Sequence, residues 1–259
     1  FTGADTTAVS VVGGAAADAS TTVDLDAKVI LGKNIGVDAQ AIDMSTSDTV
    51  GELRTPSLAG WSTSVNAGAG GGINGYAAQS TINISNQGSS IALGDYDDLD
   101  VWGMSAHDTL GNRLRLDAYS TLSVIDTAQL STGGAIQSAV AGSSITSVQN
   151  NSITLGTGAT LNNEVDKVEL GTYSYDNVWS VANAKTYAAV GAAGGSAIVD
   201  TTVNNNVTLG ASSTVTGYGS VSIYAGRSAD SITDDTVMLN AVSDVYNWTA
   251  APINMPSGW

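Results

Sequence analysis

The chain has 259 residues and carries 24 acidic against 8 basic side chains, a net charge of −16. That sign repels nucleic acid and an anionic membrane face, which argues against both as partners. Hydrophobic residues reach 42%, but aromatics are only 6% with a single Phe, so a core must be built from Val, Ile, Leu and Ala. Together with abundant Gly, Ser, Thr and Asn, this composition favours strands and turns over helices. There is no Cys, and low Lys and Arg point with it to a bacterial exterior, an extracellular or cell-surface location. The chain starts at Phe1 rather than Met, which reads as a processed chain or a fragment. Its longest apolar stretch, 186–199, is Ala- and Gly-rich and too short to cross a bilayer, so no membrane insertion is expected.

In chain order, the first clear element is an alternation of period two: Val23, Leu25, Ala27, Val29 and Leu31 face one way, Asp24, Asp26 and Lys28 the other. Leu114, Leu116 and Ala118 repeat it against Arg113, Arg115 and Asp117, as do Val221, Ile223 and Ala225 against Ser220, Ser222 and Tyr224. Strands with one buried and one wet face have this pattern.

Four strings then line up: Val29-Ile30-Leu31-Gly32, Ile91-Ala92-Leu93-Gly94, Ile153-Thr154-Leu155-Gly156 and Val207-Thr208-Leu209-Gly210. Five residues after each Gly comes Val37, Leu99, Leu161 or Val215, and successive glycines are 62, 62 and 54 residues apart (94−32, 156−94, 210−156). Glycine pairs precede each copy, at Gly13-Gly14, Gly70-Gly71, Gly133-Gly134 and Gly194-Gly195, and Trp61-Ser62 and Trp179-Ser180 open two copies alike.

Such repetition predicts an all-β, β-solenoid fold (parallel β-helix-like) of four imperfect repeats over 1–226. The Gly after each Leu is expected at a corner with positive φ. At roughly 20–25 residues per coil, each repeat makes two to three coils, and ten to twelve coils make a rod roughly 50 Å long. Asn205 lies at an inward position between Val203 and Val207, where stacked Asn side chains hydrogen-bond along an axis, or else in an exposed Asn loop. From Arg227 the pattern fails, and 227–259 is expected to be a C-terminal cap or docking tail.

The run 188–197, Ala-Ala-Val-Gly-Ala-Ala-Gly-Gly-Ser-Ala, followed by Val207-Thr208-Leu209-Gly210 and Val221-Ser222-Ile223-Tyr224-Ala225, resembles the repeats of filamentous-haemagglutinin-type bacterial adhesins. The likeness is best over 178–226 and fainter upstream. It implies a β-solenoid architecture and carries no catalytic residues.

Residues with chemistry are few. His107 is the only His and sits in a loop-like stretch without a nucleophile elbow, so a surface loop is the expectation and the chain is not expected to be an enzyme. The densest acidic cluster is Asp95, Asp97, Asp98 and Asp100, a candidate Ca²⁺ site set against a merely solvated acidic turn. No other cofactor is implied. Arg113 and Arg115 follow it, as a polysaccharide lyase would need, but an ordinary outward face explains them equally. An outer-membrane barrel would need aromatic girdles that this chain lacks.

The function expected is that of an extracellular structural protein: a self-associating fibre or sheath subunit, or the rod segment of a surface adhesin. Alternatives are a polysaccharide-active β-helix enzyme and a calcium-stabilised carbohydrate-binding adhesin module. Partners are copies of itself end to end, with surface glycans a second class. Phe1, Trp248 and Trp259 are the candidate assembly residues, placed near the two ends.

Overall fold

A computed structural model describes residues 2–50, 61–103, 112–249 and 254–258. The fold is all-β, with parallel strands in two sheets. The large sheet contains β1 (Thr2–Ile30), β3 (Ile42–Val50), β4 (Trp61–Leu93), β6 (Leu114–Leu155), β8 (Val168–Leu209), β10 (Val221–Ala225), β11 (Thr236–Thr249) and β12 (Asn254–Gly258). The small one stacks four short strands in the order β2 (Gly36–Ala39), β5 (Asp98–Val101), β7 (Thr160–Asn163) and β9 (Thr214–Gly217).

The chain winds through these as tiers. β6 and β7 make one, β8 and β9 the next, and β3, β4 and β5 together form the tier before them, because β3 pairs with 114–122 of β6 and β4 with the remainder from Val124. β1 and β2 begin the stack; β10, β11 and β12 end it by pairing in turn with β8. The segment set apart at 227 therefore supplies most of the last tier.

The four aligned strings occupy one column, Val29↔Ile91↔Ile153↔Val207, and the following aliphatics another, Val37↔Leu99↔Leu161↔Val215. One residue therefore sits below its equivalent 62 or 54 positions on (91−29, 207−153). This corrects the expected coil size: each repeat is a single coil, not two or three. Five tiers span about 20 Å at the spacing of neighbouring strands, not 50 Å. The other two alignments fail. Trp61 pairs with Val124 and so falls in the column of Val178, one residue short of Trp179. Gly133 pairs with Tyr187, and Gly14 with Gly75 rather than Gly71, so only the two middle glycine pairs coincide.

Each long strand doubles back on itself. Within β6, Ser120 Oγ donates to Gln149 Oε1 (2.5 Å) and Ser143 Oγ to Asp126 Oδ2 (2.7 Å). Both pairs are centred between Gly134 and Ala135. Burial alternates on even positions before this point and on odd ones after it, as a corner that swaps the inward face requires. Gly133 and Gly134 make the corner possible: a Cβ on Gly134 would lie 2.0 Å from the carbonyl oxygen of Gly71 in the tier below. β6 thus runs as two facing walls, each about 65 Å long at the usual rise per strand residue.

Between the walls lie three apolar clusters. Next to the short strands, Ile91, Leu93, Leu99, Leu114, Leu116, Ile153, Leu155, Leu161, Val168 and Leu170 fill a broad aliphatic core. Further along come Ile82, Ile84, Leu122, Val124, Ile145 and Val178. Towards the glycine corner the core is mostly alanine: Ala78, Ala128, Ala139, Ala141, Ala182 and Ala184, with Tyr76 and Leu130.

Candidate functional site

The acidic turn is the first candidate, and it lies where each coil leaves its long strand. The glycine that follows each Leu does not take positive φ, contrary to the sequence expectation. The left-handed residues come two positions later: Asn34 (φ 58°), Tyr96 (60°), Gly158 (68°) and Ser212 (58°). Gly is needed for close approach instead. A Cβ on Gly94 would meet the Gly32 oxygen at 1.9 Å, and those on Gly156 and Gly210 would meet the glycine below at 2.4 and 2.6 Å.

In this turn the four aspartates are held apart. Asp95 accepts from Lys33 Nζ in the tier below (2.7 Å) and from the Thr157 N–H in the tier above (3.0 Å). The lysine, first of all, holds its carboxyl below the usual range. Asp97 is fully buried and accepts from the N–H groups of Gly94 (2.7 Å) and Ile35 (2.9 Å). Asp100 accepts from Asn162 Nδ2 (2.9 Å), and Asp98 is exposed. A Ca²⁺ ion gathers about six to eight oxygens around one point, whereas these carboxylates each serve a separate strand or turn. Among the described residues no three His, Cys, Asp or Glu side chains converge on a common point.

The arginines are likewise engaged: Arg113 pairs with Asp43, and Arg115 with Asp117 and Asp230. Phe1, Trp259 and His107 lie outside the described residues. Trp248 is 54% exposed on β11 above Tyr187, whose ring also meets Tyr246 at 5.6 Å.

A second candidate is the pair of end faces. In the inner tiers the inward column residues Leu155, Val168, Leu170 and Val178 are at most 1% exposed. Leu209, above Leu155 at the open end of β8, and the last-tier partners of the other three, Val221, Ile223 and Leu239, are 41–46% exposed. At the other end Leu25 is 38% exposed. Edge strands β1 and β11 are each paired on one side only, to β4 and β8, so their outer N–H and C=O groups continue the ladder outward.

Below these faces runs a polar band that sequence alone did not single out. Gln149 accepts from Ser120 and donates from Nε2 to Asp176 Oδ1 (2.6 Å). Asn151 Nδ2 donates to Ser120, Ser174 and, in the tier above, Asn205 Oδ1 (3.0 Å). Asn205 thus takes the inward, stacked position of the two foreseen. Asn205 in turn donates to Asp235 Oδ2 (2.7 Å), whose other oxygen accepts from the Ser174 N–H (2.7 Å). In the lower tiers Gln87 Nε2 donates to the carbonyls of Asp48 and Thr121. Within this band the buried oxygens Asp48 Oδ2, Gln87 Oε1, Asn151 Oδ1 and Asp176 Oδ2 find no partner.

Burial pushes the Asp176 carboxyl up to about 6, with the Asp235 charge adding to it against the Gln149 bond. Burial also raises Asp48, next to Asp26. A separate buried carboxylate, Asp126, is raised by burial too, but Ser80, Ser143 and the Ser144 N–H all donate to it. The only sequence signal for the band is polar residues at inward positions of an otherwise apolar alternation, as at Asp48, Gln87 and Asp176.

No family model, no curated protein and no solved structure matches the chain.

Proposed function

We propose that the chain is a β-solenoid rod of an extracellular or cell-surface structural protein, akin to the repeats of filamentous-haemagglutinin-type adhesins, and that its copies stack end to end rather than catalyse a reaction. What supports this most is the exposure of core columns at the C-terminal end face, where Leu209, Ile223 and Leu239 continue buried columns into solvent. A further parallel tier would bury them and pair the open edges in the same step. Each such residue returns roughly 25 cal/mol per Å² of apolar area covered. The composition fits an exterior setting, being Cys-free and rich in Thr, Ser, Asn and Gly.

Electron microscopy of the purified chain tests the reading. Filaments with an axial step of about 24 Å per copy, five tiers at strand spacing, are expected. Compact particles that stay separate at high concentration, at neutral and at mildly acidic pH alike, would overturn self-association. Replacing Ile223 and Leu239 with Lys should leave the inner tiers folded and abolish filaments.

A further inference from the structure

We propose that closure of the end faces on a second copy is gated by protons, with Asp48 at one end and Asp176 at the other protonated in the associated state. This rests on the end-to-end stacking proposed above and adds a control to it.

The two ends are built alike. Asp48 lies on β3, which pairs on one side with β6, and it neighbours Asp26 on β1. Asp176 lies on β8 directly beneath Val237 of the last tier, and it neighbours Asp235. Each end therefore has two carboxylates, one of them at least nine-tenths buried with an unpartnered oxygen. Each also has a buried amide oxygen lacking a donor: Gln87 Oε1, whose amide nitrogen already bonds the Asp48 carbonyl, and Asn151 Oδ1 in the band that holds Asp176.

Among the described residues no cation acts on Asp48 or Asp176 themselves. Lys28 is exposed and pairs with Asp26, and Arg227 pairs with Asp234. The remaining groups facing Asp48 are the N–H groups of Gly88 and Thr49. Those facing Asp176 are Gln149 and Asp235, and Asp235 already accepts from the Ser174 N–H and from Asn205 Nδ2. Asp176, fully buried with one oxygen unpartnered, is the member of its pair that takes the proton.

Covering an end removes the water that screens these pairs, and a buried like-charged pair is costly. One proton at each end removes the repulsion and turns an unpartnered carboxylate oxygen into an O–H donor. A metal ion is the weaker occupant, since no third acidic or imidazole ligand gathers at either place among the described residues. Asp126, midway along the coil, is saturated by three donors and takes no part.

The test is sedimentation velocity of the wild-type chain and of Asp48→Asn/Asp176→Asn at about pH 7.5 and about pH 5, where Asn stands in for the neutral acid. A charge-matched control, Asp38→Asn/Asp244→Asn, removes two exposed carboxylates of the end tiers. The wild type and the control should associate only at the lower pH, and the double variant at both, with a shift of at least tenfold in the concentration needed at the higher pH. Wild-type association of equal extent at both values overturns the gate and leaves stacking intact. A control that behaves like the double variant also overturns it, because net charge then explains the effect. Absence of association for every protein at either pH overturns the stacking and the gate together.

Discussion

The two ends of each coil hold their walls apart by different means. Beside the short strands, Leu114, Leu116, Ile153, Leu155 and Leu161 fill a wide gap. Near the glycine corner, Ala128, Ala139, Ala141 and Ala184 fill a narrow one. Both regions are fully buried and both alternate with period two, so pattern alone does not separate them. Side-chain volume does, because a close-packed interior sets the distance between walls by what stands between them. The alanine end gains less from burial per residue, and it depends on backbone fit at Gly134. The coil is thus anchored at one end and closed at the other.

The strongest way to break this contrast is truncation at the wide end. Leu116→Ala should cost about 2–5 kcal/mol, since walls held by neighbouring leucines cannot collapse onto the cavity. Chemical denaturation reads the loss, and a cost below about 1 kcal/mol would mean that the wide core is loosely packed. The reverse change belongs at the narrow end. Ala141→Leu should cost about 1–3 kcal/mol by overpacking, whereas the same enlargement would be tolerated best where the walls are already far apart. Equal tolerance at both ends would refute a wall spacing set by side-chain size.

Much of this architecture was legible in the sequence, and the reasons differ by element. The columns of Val29, Ile91, Ile153 and Val207 could be read because the turn that follows has one fixed length, and so its glycines and aliphatics keep register. Coil size could not be read. A β6 of 42 residues is far longer than an ordinary strand, and its reversal at Gly133-Gly134 breaks no ladder. The glycines at 94, 156 and 210 were rightly placed at the turn but for the wrong physical cause: crowding by the tier below, not handedness. The acidic turn looked like one site because four aspartates are close in sequence. In space Asp95 and Asp97 bond to neighbouring turns, Asp100 to Asn162, and Asp98 is exposed. The polar band was missed because its members, Asp48, Gln87, Ser120 and Asp176, come from four strands and share no local motif.

Acid sharpens the contrast between the saturated and unsaturated carboxylates of the core. Asp176 has its folded-state value pushed up to about 6 by burial, above the unfolded carboxyl near 3.9. Its contribution to stability is therefore greatest below the unfolded value and is lost as pH rises through about 6. Thermal unfolding should show a midpoint that climbs on acidification from about pH 7 to about pH 5, with a slope of at most about 1.4 kcal/mol per pH unit from this one group. Asp176→Asn should flatten that slope. A slope unchanged by the substitution would place the titrating group elsewhere.

The smallest expected effects separate the two best-defined aspartates of the turn. Asp97 is fully buried and closes the N–H groups of Gly94 and Ile35, so Asp97→Ala leaves two donors without a partner and should cost about 1–3 kcal/mol. Asp95 joins three tiers on the surface, through Lys33 and the Thr157 N–H. Water replaces such contacts readily, so Asp95→Asn should leave the unfolding midpoint within error at physiological salt. If Asp95→Asn instead destabilised the fold as much as Asp97→Ala, the surface ladder of Lys33, Asp95 and Thr157 would be what keeps the tiers in register, and the buried Asp97 only an adjunct to it.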